Sequence, residues 1–116
     1  MFLELSHTKV DVLRVSQELV LLCYKETKFF PSDEKFAMIQ QIRRAALSVH
    51  LNISEGCSRK SMAERKRFYE IARGSVIEID AALDIALGLG YTSKEKLEDL
   101  GLMLVRTFRL ISKMMC

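Results

Sequence analysis

The chain has 116 residues, of which 49% are hydrophobic, and a formal charge of +3 at pH 7. This length is typical of one domain with ample apolar material for a core, so we expect a single domain over residues 1–116. One proline, five glycines and an abundance of Leu, Ile, Ala, Glu, Lys and Arg favour helices over sheets. So small a net charge does not by itself indicate a polyanionic partner.

Cysteine usage and the first residues indicate a reduced, soluble, cytoplasmic protein. The three cysteines, Cys23, Cys57 and Cys116, are odd in number and lack the spacing of metal ligands. The start of the chain has neither a basic region nor a long apolar run, and no stretch is long enough to span a membrane. We therefore expect no membrane partner, no bound metal and no cofactor.

Apolar residues recur at spacings of three and four in four successive segments, each of which predicts an amphipathic helix. The first helix is expected from about residues 6–9 to Lys28, before Pro31 stops it. The second helix begins with Ser32 as its N-cap and ends at Gly56. The apolar stripe of this second helix consists of Phe36, Ile39, Ile42, Ala46, Val49 and Ile53.

The third and fourth helices each follow a serine or threonine with a glutamate three residues later, the capping-box spacing. Ser61 with Glu64 starts a helix that runs to about Gly88, and Thr92 with Glu95 starts the last helix. Apolar residues of the third helix cover more than one face, which indicates neighbours on two sides or self-association. Four helices with short connections favour an all-α, antiparallel up-down-up-down four-helix bundle.

A line of polar residues shares one face of the second helix: Gln41, Arg44, Ser48, Asn52 and Glu55. This line is either a solvated stripe or a polar seam between two helices. A heptad pattern in the third helix places Glu78 inward, where a buried carboxylate needs a partner. Because the second and third helices are antiparallel neighbours, Arg44 is the candidate partner, and Glu78 joins the predicted seam.

Positive charge concentrates between Arg43 and Arg73, where eight Lys and Arg residues stand against three Glu. Five of these cations surround the turn between the second and third helices: Arg59, Lys60, Arg65, Lys66 and Arg67. Phosphates are bound by several Lys or Arg side chains on one surface, and a helix N-terminus adds favourable amides. We therefore predict a nucleic-acid-binding surface here. The alternative is a solvated loop whose charges aid solubility.

A catalytic function has less support in the sequence. Arg44 and His50 have the R-x5-H spacing seen in metal-independent ribonucleases of helical-bundle type, where Arg could stabilise phosphate charge and His act as a general base. In a regular helix, however, six residues place the two side chains about 120° apart. No Gly-rich phosphate loop or nucleophile elbow occurs in the sequence. We expect no catalytic residues and no enzyme activity.

Short motifs at fixed separations mark the segment from residue 41 to residue 75. They are Gln41-Ile42-Arg43-Arg44-Ala45-Ala46, Ser48-Val49, Asn52-Ile53-Ser54-Glu55-Gly56, Arg59, Glu64, Phe68 and Ile71-Ala72-Arg73-Gly74-Ser75, with Tyr24, Thr27, Phe30-Pro31, Glu34 and Phe36 upstream. Through these residues, about 10–110 of the chain resembles the bacterial four-helix bundle protein family, whose members are encoded within intervening sequences of large-subunit ribosomal RNA genes. Relatives act as accessory proteins of diversity-generating retroelements.

The resemblance implies a four-helix protomer assembled into a homopentameric barrel with a basic surface, and a nucleic-acid-binding role without established catalysis. Two positions depart from the family pattern, because His50 stands where relatives have Pro or a small residue and Arg65 replaces an apolar residue. Our leading hypothesis is a non-enzymatic oligomeric bundle that binds RNA or DNA through phosphate contacts. The alternative is a protein-interaction scaffold whose basic block meets an acidic protein partner or a neighbouring subunit.

Overall fold

The computed structural model describes residues 2–6 and 10–116, which form four α-helices joined by short connections. In chain order these are α1 (Asp11–Thr27), α2 (Met38–Ser58), α3 (Met62–Gly88) and α4 (Glu98–Met114). α1 packs on α2 and α4, and α3 also packs on α2 and α4, so the four helices close into a bundle. The predicted all-α, antiparallel four-helix bundle is confirmed.

The start of α3 is the one that the sequence predicts. Ser61 has extended backbone geometry, and its side-chain oxygen accepts a hydrogen bond of 3.1 Å from the backbone N–H of Glu64. This bond satisfies one of the backbone donors that a helix start leaves unpaired. The helix then continues without interruption to Gly88, as expected.

The connection between α1 and α2 is longer than the sequence indicates. Ser32 opens a short 3-10 turn, Ser32–Glu34, and does not cap α2, which begins at Met38. Phe36 therefore lies in the connection and is 83% exposed, whereas the prediction placed it in the apolar stripe of α2. The chain needs these residues to reverse direction between antiparallel helices, so the N-cap signal marks a turn.

The start of α4 is displaced in the same way. The predicted capping pair, Thr92 and Glu95, precedes the helix, which begins at Glu98. Within this connection the side chain of Ser93 accepts a hydrogen bond of 3.3 Å from the backbone N–H of Lys96. The polar residues here therefore stabilise the turn that leads into α4, and the prediction of a capping box at this helix start is wrong.

Each helix contributes one buried stripe to the core. The buried residues include Val12, Leu13, Val15 and Leu19 of α1; Ile42, Ala46, Val49 and Ile53 of α2; Ala72, Val76, Ile79, Leu83 and Ala86 of α3; and Leu100, Leu104 and Ile111 of α4. Glu78 is exposed, as are Ile71 and Ile85, at 52% and 56%. The prediction that Glu78 faces inward is wrong. Apolar side chains occur on several faces of α3, so its sequence fits two different choices of buried stripe.

α2 and α3 approach each other closely at Gly56. A Cβ atom added to Gly56 would lie 2.5 Å from Cε1 of Tyr69 and 3.2 Å from Cβ of Phe68. The ring of Tyr69 is buried, and its hydroxyl donates a hydrogen bond of 3.6 Å to Sγ of Cys57. Gly56 does not end α2 as predicted, because the helix continues to Ser58. This glycine is required for packing between two helices.

Polar side chains of α2 connect it to α1 at two levels. Nε of Arg43 donates a hydrogen bond of 2.9 Å to the buried Thr27 side chain, and Nη2 donates one of 3.2 Å to the Tyr24 carbonyl. The end of α1 leaves that carbonyl without an α-helical partner, so Arg43 helps to cap this helix. At the other level, Nδ1 of His50 lies 2.7 Å from Oγ of the buried Ser16.

We expect Gly56→Ala to destabilise the fold by about 1–3 kcal/mol, the usual cost of an extra methyl group in a packed site. The matched control is Gly101→Ala in α4, because nothing lies within 4 Å of a Cβ added there. That control should stabilise the fold by about 0.5–1 kcal/mol through helix propensity. Urea unfolding measures both effects, and equal effects would contradict the close approach of α2 and α3.

Stability should also depend on the protonation of His50. Burial lowers the pKa of His50 below 6.5, so the folded protein binds this proton less readily than the unfolded chain does. The contribution of neutral His50 to the free energy of unfolding is therefore fully present above pH 6.5. It falls as the pH drops below that value, and it levels off below the pKa of His50 in the folded protein.

Urea unfolding at a series of pH values tests this dependence. His50→Gln should remove the loss of stability between neutral and mildly acidic pH. The matched control is His7→Gln, which replaces the other histidine and should retain this loss. If the profile of His50→Gln matched that of the wild type, groups other than His50 would be responsible for it.

Candidate nucleic-acid interface

One end of the bundle carries the predicted binding residues, and we call this surface the basic tip. It consists of Arg59, Lys60, Arg65, Lys66 and Arg67. α2 ends at Ser58 and α3 begins at Met62, so the five side chains lie on one short turn and the first turns of α3. Four of them are exposed and Arg65 is half-buried. The structure therefore brings all five predicted residues to the same end of the molecule.

Arg59 is held against the α2–α3 hairpin. Its Nη2 lies 2.8 Å from Oε2 of Glu55, and its guanidinium carbon lies 5.0 Å from the centroid of the Phe68 ring. Both members of the ion pair are about half exposed, so solvent screens it and it contributes little to stability. Together the two contacts orient the guanidinium and partly neutralise its charge.

Arg65 also has a structural contact within the basic tip. Its Nε donates a hydrogen bond of 2.7 Å to the backbone carbonyl of Arg59, directly after the end of α2. This bond ties the first turn of α3 to the chain that leaves α2, and so fixes the shape of the turn. The side chain of Arg65 therefore stabilises the turn between the two helices.

Three cations of the basic tip remain available to a ligand. Lys60, Lys66 and Arg67 are exposed and form no hydrogen bond or ion pair within the part of the chain that the structure describes. Because they belong to the turn and the first two turns of α3, they project from a rigid helix end. The tip thus combines two arginines held in place with three free positive charges.

The central residues of the predicted polar seam connect α2 with α3. Ser75 donates a hydrogen bond of 2.9 Å to Oγ of Ser48, and both side chains are half-buried. Nδ2 of Asn52 donates to the Ser48 carbonyl at 2.8 Å, one turn earlier in the same helix. The seam therefore contains a short interhelical contact at Ser48, and its partner on α3 is Ser75, which was not among the predicted seam residues.

The outer residues of the predicted seam are exposed. Gln41 donates a hydrogen bond of 2.7 Å from Nε2 to Oε2 of Glu78, and both residues face solvent. Arg44, the expected partner of Glu78, is also exposed and forms no ion pair or hydrogen bond within the described residues. Glu55 pairs with Arg59 of the basic tip. The predicted Arg44–Glu78 pair is wrong, because the register of the hairpin brings Gln41 to Glu78.

Arg73 connects α3 to α4, a role that its position in the sequence does not predict. Its guanidinium carbon lies 4.8 Å from the centroid of the Phe108 ring, and its Nε donates a hydrogen bond of 3.3 Å to Oγ of Ser112. The side chain is nevertheless exposed. The charge of Arg73 marked it as part of the basic segment, but no local pattern indicated contacts with residues nearly forty positions later.

The structure does not bring together the pair of the ribonuclease alternative. His50 faces α1 through its contact with Ser16, whereas Arg44 is exposed and forms no hydrogen bond with that histidine. Arg43, seven residues before His50, is the arginine that shares its side of α2, and its guanidinium is engaged by Tyr24. That chemistry requires a free guanidinium beside the imidazole, and Arg44 does not provide one.

Other kinds of site find little support in the described ranges, residues 2–6 and 10–116. Three or more His, Cys, Asp or Glu side chains do not gather there in a way that could hold a metal ion. None of the helices in these ranges is both long enough and apolar enough to cross a membrane. Cys23 is buried, which raises the pKa of its thiol to about 12 and keeps it protonated.

Comparison with known proteins places the fold and the family. This chain is similar to a solved structure of a protein of unknown function from the S23 ribosomal protein family of Bacteroides thetaiotaomicron VPI-5482, with a TM-score of 0.79. The two sequences are 22% identical, and the match covers 90% of this chain and 97% of that one. A search of curated proteins found no match. The family model described as 23S rRNA-intervening sequence protein matches residues 8–113, so the chain belongs to that family.

Proposed function

We propose that this protein is a non-enzymatic, oligomeric helical bundle that binds RNA or DNA in the cytoplasm through backbone phosphates at its basic tip. The observation that carries the proposal is the presence of Lys60, Lys66 and Arg67, exposed and without partners in the described chain, beside two fixed arginines. The family description refers to 23S rRNA, which makes ribosomal RNA the first ligand to test.

The chemistry of the basic tip favours phosphate contacts over the reading of bases. Binding through phosphates needs several cations on one surface, and it releases the counterions that surround a nucleic acid. Recognition of a base edge would need side chains that enter a groove, and the tip is a short turn at a helix start. We therefore expect binding that depends strongly on salt and weakly on sequence.

Self-association is the second part of the proposal, and it rests on the outer surface of α3. Ile71, Gly74, Ala81 and Ile85 form an exposed stripe at helical spacing, in which the exposed Glu78 lies between Gly74 and Ala81. Small and apolar side chains on both sides of this carboxylate allow another helix to pack closely. The family resemblance makes a homopentamer the expected assembly. A protein partner on this stripe is the alternative, and the mass in solution distinguishes the two.

The triple variant Lys60→Gln, Lys66→Gln, Arg67→Gln should weaken binding to structured RNA and to duplex DNA. Each lost phosphate contact lowers the slope of log K against log salt by about 0.9, so the slope should fall by up to about 3. Fluorescence anisotropy at a series of salt concentrations measures both quantities. These three exposed side chains form no hydrogen bond or ion pair in the described chain, so the melting temperature should change little.

The matched control is Lys28→Gln, Lys94→Gln, Lys96→Gln, which removes the same charge from exposed lysines at the opposite end of the bundle. This control should retain most of the affinity and nearly all of the salt slope. Equal losses in the two triple variants would mean that net charge governs binding, and the assignment to the basic tip would be wrong.

Light scattering should give a mass of several times 13.3 kDa, with five copies as the expected number. Ile71→Gln with Ile85→Gln should lower this mass, because polar side chains on the outer stripe of α3 weaken its packing against another copy. Leu21→Gln with Phe29→Gln, which also changes two exposed apolar residues, should leave it unchanged. A monomeric wild type would exclude self-association at this surface.

A further inference from the structure

The aromatic rings near the basic tip are already covered by arginines. The guanidinium of Arg59 lies over the ring of Phe68, and that of Arg73 lies over the ring of Phe108. Tyr69, the other aromatic residue in this half of α3, is buried. Proteins that bind single strands combine a basic groove with open aromatic faces on which bases stack. An arginine thus lies over the rings of Phe68 and Phe108, and both residues are half-buried, so they offer little open surface for stacking.

Positive charge also extends from the basic tip onto the surface shared by α3 and α4, which we call the basic face. It consists of Lys66 and Arg73 of α3 and of Arg109 and Lys113 of α4, all exposed. The hydrogen bond from Arg73 to Ser112 fixes the two helices side by side at this level, so cations lie on both. Within the helix, Lys66 and Arg73 are separated by about 10.5 Å along the axis.

Acidic residues reduce the charge of the basic face without cancelling it. Glu70 is exposed between Lys66 and Arg73 in the sequence of α3, and Asp80 lines the same surface groove between α3 and α4 as Arg109. The four cations of the basic face therefore stand against two carboxylates, and the surface keeps an excess of positive charge. The basic face and the basic tip share Lys66 and form one continuous surface that is two helices wide.

We infer that the ligand of this continuous surface is a double-stranded nucleic acid, an inference that rests on the proposed phosphate-binding function. A duplex presents two phosphate backbones and hides the faces of its bases, so it can contact cations on two neighbouring helices without needing a stacking partner. A single strand presents one backbone, and its bases would remain in water on a surface whose rings are covered. Arg109 and Lys113 supply the contacts to the second backbone.

The rival hypothesis is that exposed aromatic residues elsewhere in the described chain bind single strands by stacking. Phe29 and Phe36 are 70% and 83% exposed, but they lie in the connection between α1 and α2, at the end of the bundle opposite to the basic tip. Phe2 is fully exposed in the N-terminal segment. If the protein bound single strands by stacking, Phe2 would be the ring that the basic tip could use, and Phe2→Ala would reveal it.

The experiment compares a short RNA duplex, a DNA duplex of the same sequence and an unstructured single strand with the same number of phosphates. Anisotropy titrations with the full chain at equal salt should show that duplexes bind at least about tenfold more tightly than the single strand. This difference should be larger than the one that the different counterion release of the probes produces. Arg109→Gln with Lys113→Gln should lower the duplex salt slope by up to about 2 and leave the single-strand slope nearly unchanged. Lys94→Gln with Lys96→Gln is the matched control.

The outcomes separate this inference from the proposed function. Failure of every probe to bind would remove the proposed function itself. Single-strand binding as tight as duplex binding, still weakened by the triple variant of the basic tip, would retain that function and overturn the duplex inference. Loss of single-strand affinity in Phe2→Ala would overturn it as well. The two duplex probes distinguish RNA from DNA as the source, and circular dichroism confirms that the variants stay folded.

Discussion

The contact of Gly56 with the ring of Tyr69 is the constraint on which the rest of the hairpin depends. Without a side chain at Gly56, α2 approaches α3 closely enough for the ring to pack against its backbone. This fixes the register of two long antiparallel helices near their junction. One consequence is that Ser48 meets Ser75 in the middle of the hairpin, and Gln41 meets Glu78 farther along. The polar contacts follow from the packing and do not determine it.

Patterns within one helix were sufficient to predict the number of helices, their order and the start of α3 at Ser61. The register between helices was not predictable in this way. Apolar residues occur on nearly every side of α3, so two choices of inward stripe fit the sequence equally well. The choice that includes Val76 and Ile79 is fixed by packing against α2, and it turns Glu78 outward. Arg44 thereby loses its expected partner.

The connections show a second limit of local patterns. Serine with glutamate three residues later marks a true helix start at Ser61, but similar signals at Ser32 and Thr92 lie in turns. The difference is the length of chain that each connection needs. Three residues connect α2 with α3, whereas ten connect α1 with α2 and nine connect α3 with α4. Side-chain oxygens stabilise a tight turn as readily as they cap a helix.

The five cations of the basic tip look equivalent in the sequence, and the structure divides them by chemistry. A guanidinium is planar and presents several donors, so an arginine can cover a ring and bind a carbonyl or carboxylate while part of it stays in water. Arg59 and Arg65 use this capacity, as Arg43 and Arg73 do elsewhere in the bundle. A lysine ammonium has no flat face to stack. Thus the arginines with intramolecular contacts shape the surface, and the free charges, two of them lysines, are left for a ligand.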